Sequence, residues 1–169
     1  MAEKEFTDAI ALLKADHRKV EDLFEKFSKA KDDARKWELA QEICNELKIH
    51  SMIEEEIFYP ALEGKIDDDL YREAYVEHDG AKVLINDIVA SQGDGEFFEA
   101  KVTVLCEEIT HHVEEEEKPS EGMFAQARAA GVDLVELRDR MLPRKEELMA
   151  QAQAGGLPPA KLTAVEPAA

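Results

Sequence analysis

Apolar residues recur at alternating steps of three and four along four successive segments of this chain, and this periodicity constrains the fold most strongly. Residues with such spacing lie on one face of an α-helix, where they can pack against neighbouring helices. No segment shows the alternation of apolar and polar residues between turn signals that is typical of a β-strand. The sequence therefore predicts an all-α protein.

The residues between the four segments are of the types that begin or end helices. Helices are predicted over about 7–31, 34–62, 70–92 and 95–117, with Thr7 as the first N-cap and Gly64 as the second stop. Short connections between long helices are typical of an up-down-up-down four-helix bundle, which we assign to residues 1–131.

The rest of the chain is predicted to form one more helix and a tail. Asp133 and Glu136 have the spacing of a capping box, which starts an additional C-terminal helix over 132–155. Pro143 is expected to kink or split this helix. Its apolar face is expected to pack on the bundle, although a partner or a second copy in a homodimer would fit the same face. Residues 156–169 are rich in Gly, Pro and Ala and are predicted to be a flexible tail, to which the sequence assigns no function.

Six polar residues interrupt the apolar faces at one height of the predicted bundle. They include two identical four-residue spacings, His50 to Glu54 and His112 to Glu116, which place an imidazole and a carboxylate on one helix face. The neighbouring His111 falls on a polar face and is expected to point outward. The six inward residues are His17, His50, Glu54, His78, His112 and Glu116.

Burying these six groups without partners would cost several kcal/mol, so the bundle must satisfy them. A metal-free network of His–Glu hydrogen bonds is one solution, and a binuclear metal site is the one that we favour. Four imidazoles and two carboxylates without thiolate suit iron, manganese, zinc or copper, and we expect two iron ions, with manganese or zinc as alternatives. In this interpretation Glu54 and Glu116 bridge the two metals and the histidines are terminal ligands.

Charge and composition argue against two classes of partner, nucleic acids and membranes. The formal net charge of −18 opposes binding to nucleic acid or to an anionic membrane surface. No apolar run is long enough to span a membrane, and the first residues lack the apolar core of a signal peptide. We therefore expect a cytoplasmic protein, in which Cys44 and Cys106 stay reduced.

Four stretches of the chain resemble the hemerythrin-like, HHE cation-binding proteins. They are LLKADHRKVEDLFEKF around His17, IHSMIEEEIFYPAL around His50, VEHDGAKVLI around His78 and ITHHVEEEE around His112, and together they span residues from about 8 to 117. The resemblance implies a four-helix bundle with an oxo- or hydroxo-bridged non-haem di-iron centre. It also implies an open coordination position that can meet O₂ or a related small molecule.

The sequence departs from the oxygen-carrying members of this family at two positions. Ala74 stands where they have a further histidine, and Glu116 follows His112 at four residues where they have an aspartate at five. Glu55, Glu77 and Tyr71 are the sequence candidates to fill the missing position, together with water. These departures weigh against reversible O₂ carriage.

Three functions remain open from the sequence. The favoured one is a binding protein for O₂, NO, peroxide or iron itself, in sensing, storage or stress response. The second is a peroxidase-like or oxidase-like di-iron enzyme, which the absence of a recognisable substrate pocket or separate general acid disfavours. The third is a structural or interaction module that the metal stabilises.

Overall fold

The computed structural model describes residues 5–168, which form α-helices and one π-helical turn, with no β-strand among them. The elements are α1 (Ala9–Lys29), α2 (Asp33–Ile53), the π turn (Glu54–Phe58), α3 (Tyr59–Leu62), α4 (Asp68–Ser91), α5 (Phe98–Glu117), α6 (Met123–Ala129) and α7 (Leu134–Ala154). The second long helix is continuous from α2 through the π turn into α3. The long helices α1, α2, α4 and α5 form the predicted up-down-up-down bundle.

Aspartate side chains cap four of the helices at their N-termini. Asp8 accepts a hydrogen bond from Ala11 N at 2.8 Å and begins α1, one residue later than the predicted Thr7. Asp32, Asp67 and Asp133 accept equivalent bonds at the starts of α2, α4 and α7. A carboxylate at this position also interacts favourably with the helix dipole, so these ends are well defined.

Two apolar clusters fill the bundle, one on each side of the polar layer. The first joins the start of α1 and the end of the second long helix to α6 and α7, and it contains Ile10, Leu13, Ile53, Phe58, Leu62, Met123 and Met141. The second joins α1, α2, α4 and α5 at the other end, and it contains Phe24, Phe27, Leu39, Ile43, Ile85, Ile88 and Leu105. Burial of these side chains is the main source of stability for the helices that carry the polar layer.

Helix α7 packs on α1 and α2 with its apolar face inward. Leu134, Leu137, Met141 and Leu148 are all buried, so the chain's own helices cover the face that the sequence left open for a partner. The expected split at Pro143 does not occur, because α7 is continuous from Leu134 to Ala154. Pro143 is on the exposed side of the helix, where water can satisfy the carbonyl group that loses its N–H partner.

The interruption after α5 closes one side of the polar layer. Helical structure resumes at α6, after a turn in which Ser120 has a φ of 66°. A Cβ atom at Gly122 would lie 2.5 Å from Lys118 O, so only glycine allows the chain to fold back this tightly. The turn brings Phe124 onto His17, with ring centroids 5.8 Å apart and nearly parallel rings. The turn therefore covers the His17 side of the polar layer.

The last described residues lie along α4. Asn86 exchanges two hydrogen bonds with the backbone of Ala160, and Asp79 accepts backbone hydrogen bonds from Thr163, Ala164 and Val165. The flexible tail that the composition predicts is thus packed by contacts that composition does not reveal. Within residues 5–168, no helix is long and apolar enough to cross a membrane.

Candidate metal centre

The bundle brings all six predicted polar residues into one buried layer. Each of them is at most 7% exposed, and Glu54 is fully buried. Potential ligand atoms of His17, His50, Glu54 and Glu116 lie within 4.8 Å of one another, as do those of Glu54, His78 and His112. Glu54 belongs to both groups, so the layer contains two adjoining half-sites.

Each half-site is built on a pair of histidines from neighbouring helices. In the first pair, the Nε2 atoms of His17 and His50 are 3.1 Å apart. In the second pair, the Nε2 atoms of His78 and His112 are also 3.1 Å apart. The imidazoles of each pair therefore direct the same nitrogen toward a common point.

Each of the two carboxylates has one oxygen at each histidine pair. Glu54 places Oε1 3.1 Å from His50 Nε2 and Oε2 3.1 Å from His78 Nε2. Glu116 places Oε2 3.3 Å from His17 Nε2 and Oε1 3.2 Å from His112 Nε2. This is the arrangement that two bridging carboxylates require, and it follows from the HxxxE spacing on two facing helices.

Four further carboxylates orient the imidazoles. The Nδ1 atom of His50 donates to Asp16 at 3.1 Å, and that of His17 donates to Glu117 at 3.2 Å. In the second pair, Glu55 accepts from His78 Nδ1 at 3.0 Å and Glu77 accepts from His112 Nδ1 at 2.8 Å. An ionised carboxylate only accepts hydrogen bonds, so each Nδ1 carries a hydrogen and each Nε2 is left for the interior.

Two orphaned oxygen atoms provide a test of whether a metal fits this layer. Glu54 Oε1 and Glu116 Oε2 are buried and accept no hydrogen bond, although each lies beside an imidazole Nε2. A buried carboxylate oxygen without a donor is costly, and so are two imidazole nitrogens of the same kind directed at each other. A cation between these atoms would satisfy all of them, so the residues present fit a bound metal.

Tyr59 also belongs to the site, and the sequence analysis missed it. Its hydroxyl donates to Glu116 Oε1 at 2.6 Å and lies 3.1 Å from Glu54 Oε2 and from His78 Nε2. The hydroxyl is also 3.2 Å from His112 Nε2. Among the histidines it therefore contacts only the second pair, His78 and His112. Tyr59 is fully buried.

The π turn explains how Tyr59 reaches the site. Residues five apart share a face only where the helix widens, and here Tyr59 N bonds to Glu54 O in the wider pattern. Pro60 favours this widening, because its ring would clash with the carbonyl of Glu56 in a regular α-helix. The signal that could have found Tyr59 is therefore the Tyr-Pro pair that follows HxxxE.

The three residues proposed from the sequence to fill the missing ligand position serve other roles. Glu55 and Glu77 accept from the Nδ1 atoms, and the Tyr71 hydroxyl is 3.3 Å from the Tyr75 hydroxyl, outside the layer. Ala74, which stands in place of the histidine, packs in the same apolar cluster as Tyr59. His111 is exposed, as expected from its phase.

The charges in the layer are strongly coupled. Burial alone would lower the pKa of His112, but the nearby Glu116 carboxylate outweighs burial and raises it to about 10. Burial would raise the pKa of Glu116, but the imidazoles of His112 and His17 hold it well below its usual range. Burial, Glu116 and Glu54 all raise the pKa of Tyr59 well above its ordinary value, so its phenol is neutral in the protein without metal.

A cavity of about 30 Å³ adjoins the four histidines. Apolar side chains from all four bundle helices complete its wall, including Val20, Leu47, Ile85, Ile109 and Val113. Its volume matches one water-sized molecule.

Comparison with known proteins identifies the family. The family model of the hemerythrin HHE cation-binding domain matches residues 8–124. This chain belongs to the hemerythrin HHE cation-binding family. The matched residues include all of the buried layer, and membership implies that the protein binds a metal cation.

A solved structure has the same fold. The crystal structure of a hemerythrin HHE cation-binding-domain protein from Mycobacterium kansasii has a TM-score of 0.71 to this HHE-family chain. The match covers 88% of this chain and 91% of that one, at 23% sequence identity. At this identity the likeness supports the fold alone.

A curated relative matches only over part of its length. A DNA nickase of Nostoc sp. is 28% identical over 106 residues, which are 63% of this chain and 30% of that protein. This HHE-family chain therefore spans less than a third of its relative, and nothing about DNA nicking follows for it.

Proposed function

We propose that this protein holds a dinuclear non-haem iron centre and binds O₂ or a related small molecule, such as NO or peroxide, beside it. The observation that carries this proposal is that Glu54 and Glu116 each direct one oxygen to each histidine pair. A mononuclear site would need only one pair. Bound iron would supply one-electron changes between its ferrous and ferric states and an exchangeable coordination position.

The choice of iron rests on the donor set. Imidazole and carboxylate donors in this ratio suit iron, manganese or zinc, and no described thiol reaches the layer, since both cysteines contribute to the second apolar cluster. The Tyr59 hydroxyl favours iron further, because a phenolate is a hard anionic donor that stabilises the ferric state. His17, His50, His78 and His112 would hold the two metals from the ends, and Glu54 and Glu116 would bridge them.

The cavity beside the four histidines supports the proposal that the ligand is a small molecule. Its apolar wall lies against the four histidines, so a molecule there would touch the metal side of the layer and little else that is polar. Asp16, Ser51 and Lys82 also line it. Asp16 is engaged by His50 and Lys145, Ser51 donates to Lys48 O, and Lys82 is engaged by Glu55 and Asp79. No lining group among the described residues is therefore left as a separate proton donor, which favours binding over turnover of an organic substrate.

The first test is metal content with visible spectroscopy. Purified protein is reduced under nitrogen, reconstituted with Fe(II) and then exposed to air. We expect about two irons per chain and charge-transfer bands that change on exposure to O₂ or NO. Less than one metal per chain, or two zinc ions without any redox response, would overturn the di-iron proposal and favour a metal-stabilised structural module. Steady consumption of peroxide would instead favour the enzyme.

A further inference from the structure

Residues 158–165 form a segment that lies along α4 and contacts α2 outside the metal layer, and we call it the strap. Lys48 on α2 donates to Pro158 O at 3.3 Å. Asn86 on α4 donates to Ala160 O at 2.9 Å and accepts from Ala160 N at 2.8 Å. The strap is thus held by specific polar contacts from both helices.

Asp79 is the strongest anchor of the strap. Its fully buried carboxylate accepts from the backbone N–H groups of Thr163, Ala164 and Val165 at 2.6–3.1 Å. Lys82 Nζ lies 3.2 Å from the same carboxylate. A buried carboxylate would be costly without these donors, so the strap and Asp79 depend on each other. Asp79 and Asn86 are seven residues apart, two turns of α4, which aligns the strap with the helix axis.

Thr163 connects the strap to a metal-layer histidine. Its hydroxyl donates to Glu55 Oε1 at 2.5 Å, and the other oxygen of Glu55 accepts from His78 Nδ1 at 3.0 Å. Lys82 Nζ reaches both Glu55, at 2.8 Å, and Thr163 Oγ1, at 3.2 Å. The position of Glu55 is therefore set by one hydroxyl on the strap and one ammonium group on α4.

The strap also forms the outer wall of a chamber of about 360 Å³. Pro158, Ala160 and Thr163 line it from the strap, and Ser51, Glu55 and Lys82 line it from the bundle. Ser51 and Lys82 also line the small cavity beside the four histidines. The chamber therefore adjoins that cavity at Ser51 and Lys82.

We propose that the strap completes the metal centre, and that Thr163 is a positioning residue that holds Glu55 on His78 while the strap covers the outer chamber. The hydroxyl acts through Glu55, which fixes the ring orientation and the tautomer of His78. The contacts among Asn86, Asp79 and the strap keep the hydroxyl in place. The effect on metal rests on the proposed function, whereas the effect on His78 does not require metal.

The test compares Thr163→Val with Thr163→Ser, which keeps the hydroxyl. In metal-free protein, long-range ¹⁵N–¹H spectra report whether His78 Nδ1 carries the hydrogen that it donates to Glu55. We expect the same signature in the wild type and in Thr163→Ser, and a changed one in Thr163→Val. An unchanged His78 spectrum in Thr163→Val would overturn the positioning role, whether or not the protein binds metal.

The second experiment measures how fast Co(II)-loaded protein releases its metal to excess EDTA. We expect release to be roughly three- to tenfold faster for Thr163→Val and for Asn86→Ala than for the wild type, with Thr163→Ser within about twofold. Asp87→Ala is the matched control, because Asp87 is on the same helix but pairs with Lys101. The melting temperature of each variant without metal separates this effect from a general loss of stability.

The outcomes separate the two proposals. Equal release rates in all variants, together with two Co(II) per wild-type chain, would overturn the strap proposal and leave the metal centre intact. A wild type that binds no Co(II) would overturn the metal centre, and the His78 spectra would then decide the positioning role alone.

Discussion

The two histidine pairs have nearly the same internal geometry and different surroundings. The ring centroids are 4.8 Å apart and inclined at 63° in the first pair, and 4.7 Å apart and inclined at 62° in the second. The first pair lies under the ring of Phe124, which stacks on His17. The second pair lies against the hydroxyl of Tyr59. The backbone therefore repeats one ligand arrangement twice, and the neighbouring side chains make the two half-sites chemically unequal.

The surrounding carboxylates extend this difference. Asp16, which orients His50, pairs with Lys145 on α7, and Glu117, which orients His17, pairs with Arg18. In the second pair, Glu55 is held by Lys82 and the strap. The six residues of the layer thus have the same arrangement at both histidine pairs, whereas the hydrogen-bond partners of the imidazoles make the surroundings of the two pairs different.

Loss of Glu54 should affect both histidine pairs, because this carboxylate contacts one imidazole of each pair. We expect Glu54→Ala to lose both metals, with affinity weakened more than about 100-fold at each half-site. Metal content after dialysis checks this result. The matched control is Glu56→Ala, since Glu56 is exposed and pairs with Arg144. One tightly held metal in Glu54→Ala would show that the half-sites bind independently.

Loss of Glu77 should affect the second pair alone. Glu77 accepts from His112 Nδ1, so Glu77→Gln leaves the ring without its charged partner. We expect the Co(II) affinity of the half-site that contains His112 to weaken by roughly 10- to 100-fold, equivalent to about 1.4–2.7 kcal/mol. The affinity of the other half-site should stay the same. A stepwise titration followed by absorption separates the two affinities. Equal weakening of both would contradict the assignment of Glu77 to one half-site.

Replacement of Tyr59 should change the spectrum more than the affinity. Tyr59→Phe removes the hydroxyl beside His78 and His112 and keeps the ring in the core. We expect about two irons per chain with affinity changed less than about tenfold, and the loss of a phenolate-to-iron(III) absorption band. Tyr75→Phe is the control, because the Tyr75 ring packs on Tyr59 at 5.3 Å. An unchanged spectrum in Tyr59→Phe would exclude Tyr59 from coordination.

The pH dependence of the metal-free protein tests a property that both histidine pairs share, which is the electrostatic coupling of their imidazoles to the buried carboxylates. The His112 pKa is raised from 6.5 to about 10, so its stabilising contribution is complete below pH 6.5 and is lost as pH rises toward 10. The pKa values of His17 and His50 are raised as well, with the nearby carboxylates outweighing burial. The Glu116 pKa is held below 4.5, so its contribution is complete above pH 4.5 and is lost at lower pH.

Metal-free protein should therefore be most stable between pH 4.5 and 6.5. We expect its melting temperature to fall by roughly 5–10 °C between pH 6.5 and 10. Metal-loaded protein should lack this decline, because a bound metal already keeps the imidazoles unprotonated. Calorimetry of both forms across this range checks the result, and a flat profile for the metal-free protein would contradict the coupling between the imidazoles and the carboxylates.

The layer of six residues could be found from the sequence because regular helices preserve spacing. His50 and Glu54 are one turn apart, as are His112 and Glu116, and the same three- and four-residue steps that predict the core place them inward. Tyr59 could not be found by that rule, since its spacing from Glu54 belongs to a π turn. The roles of Glu55 and Glu77 were also missed, because a carboxylate beside a ligand can face either the metal or the imidazole.

The sequence by itself determined the all-α class, the succession of long helices and the inward position of four histidines and two glutamates. These follow from local periodicity, which needs no knowledge of distant residues. Only the tertiary structure decided that Tyr59 joins one half-site, that Phe124 closes the other and that the strap reaches Glu55. Those contacts join residues that are far apart in the chain or lie on an irregular turn, so they depend on how the helices pack rather than on any repeat in the sequence.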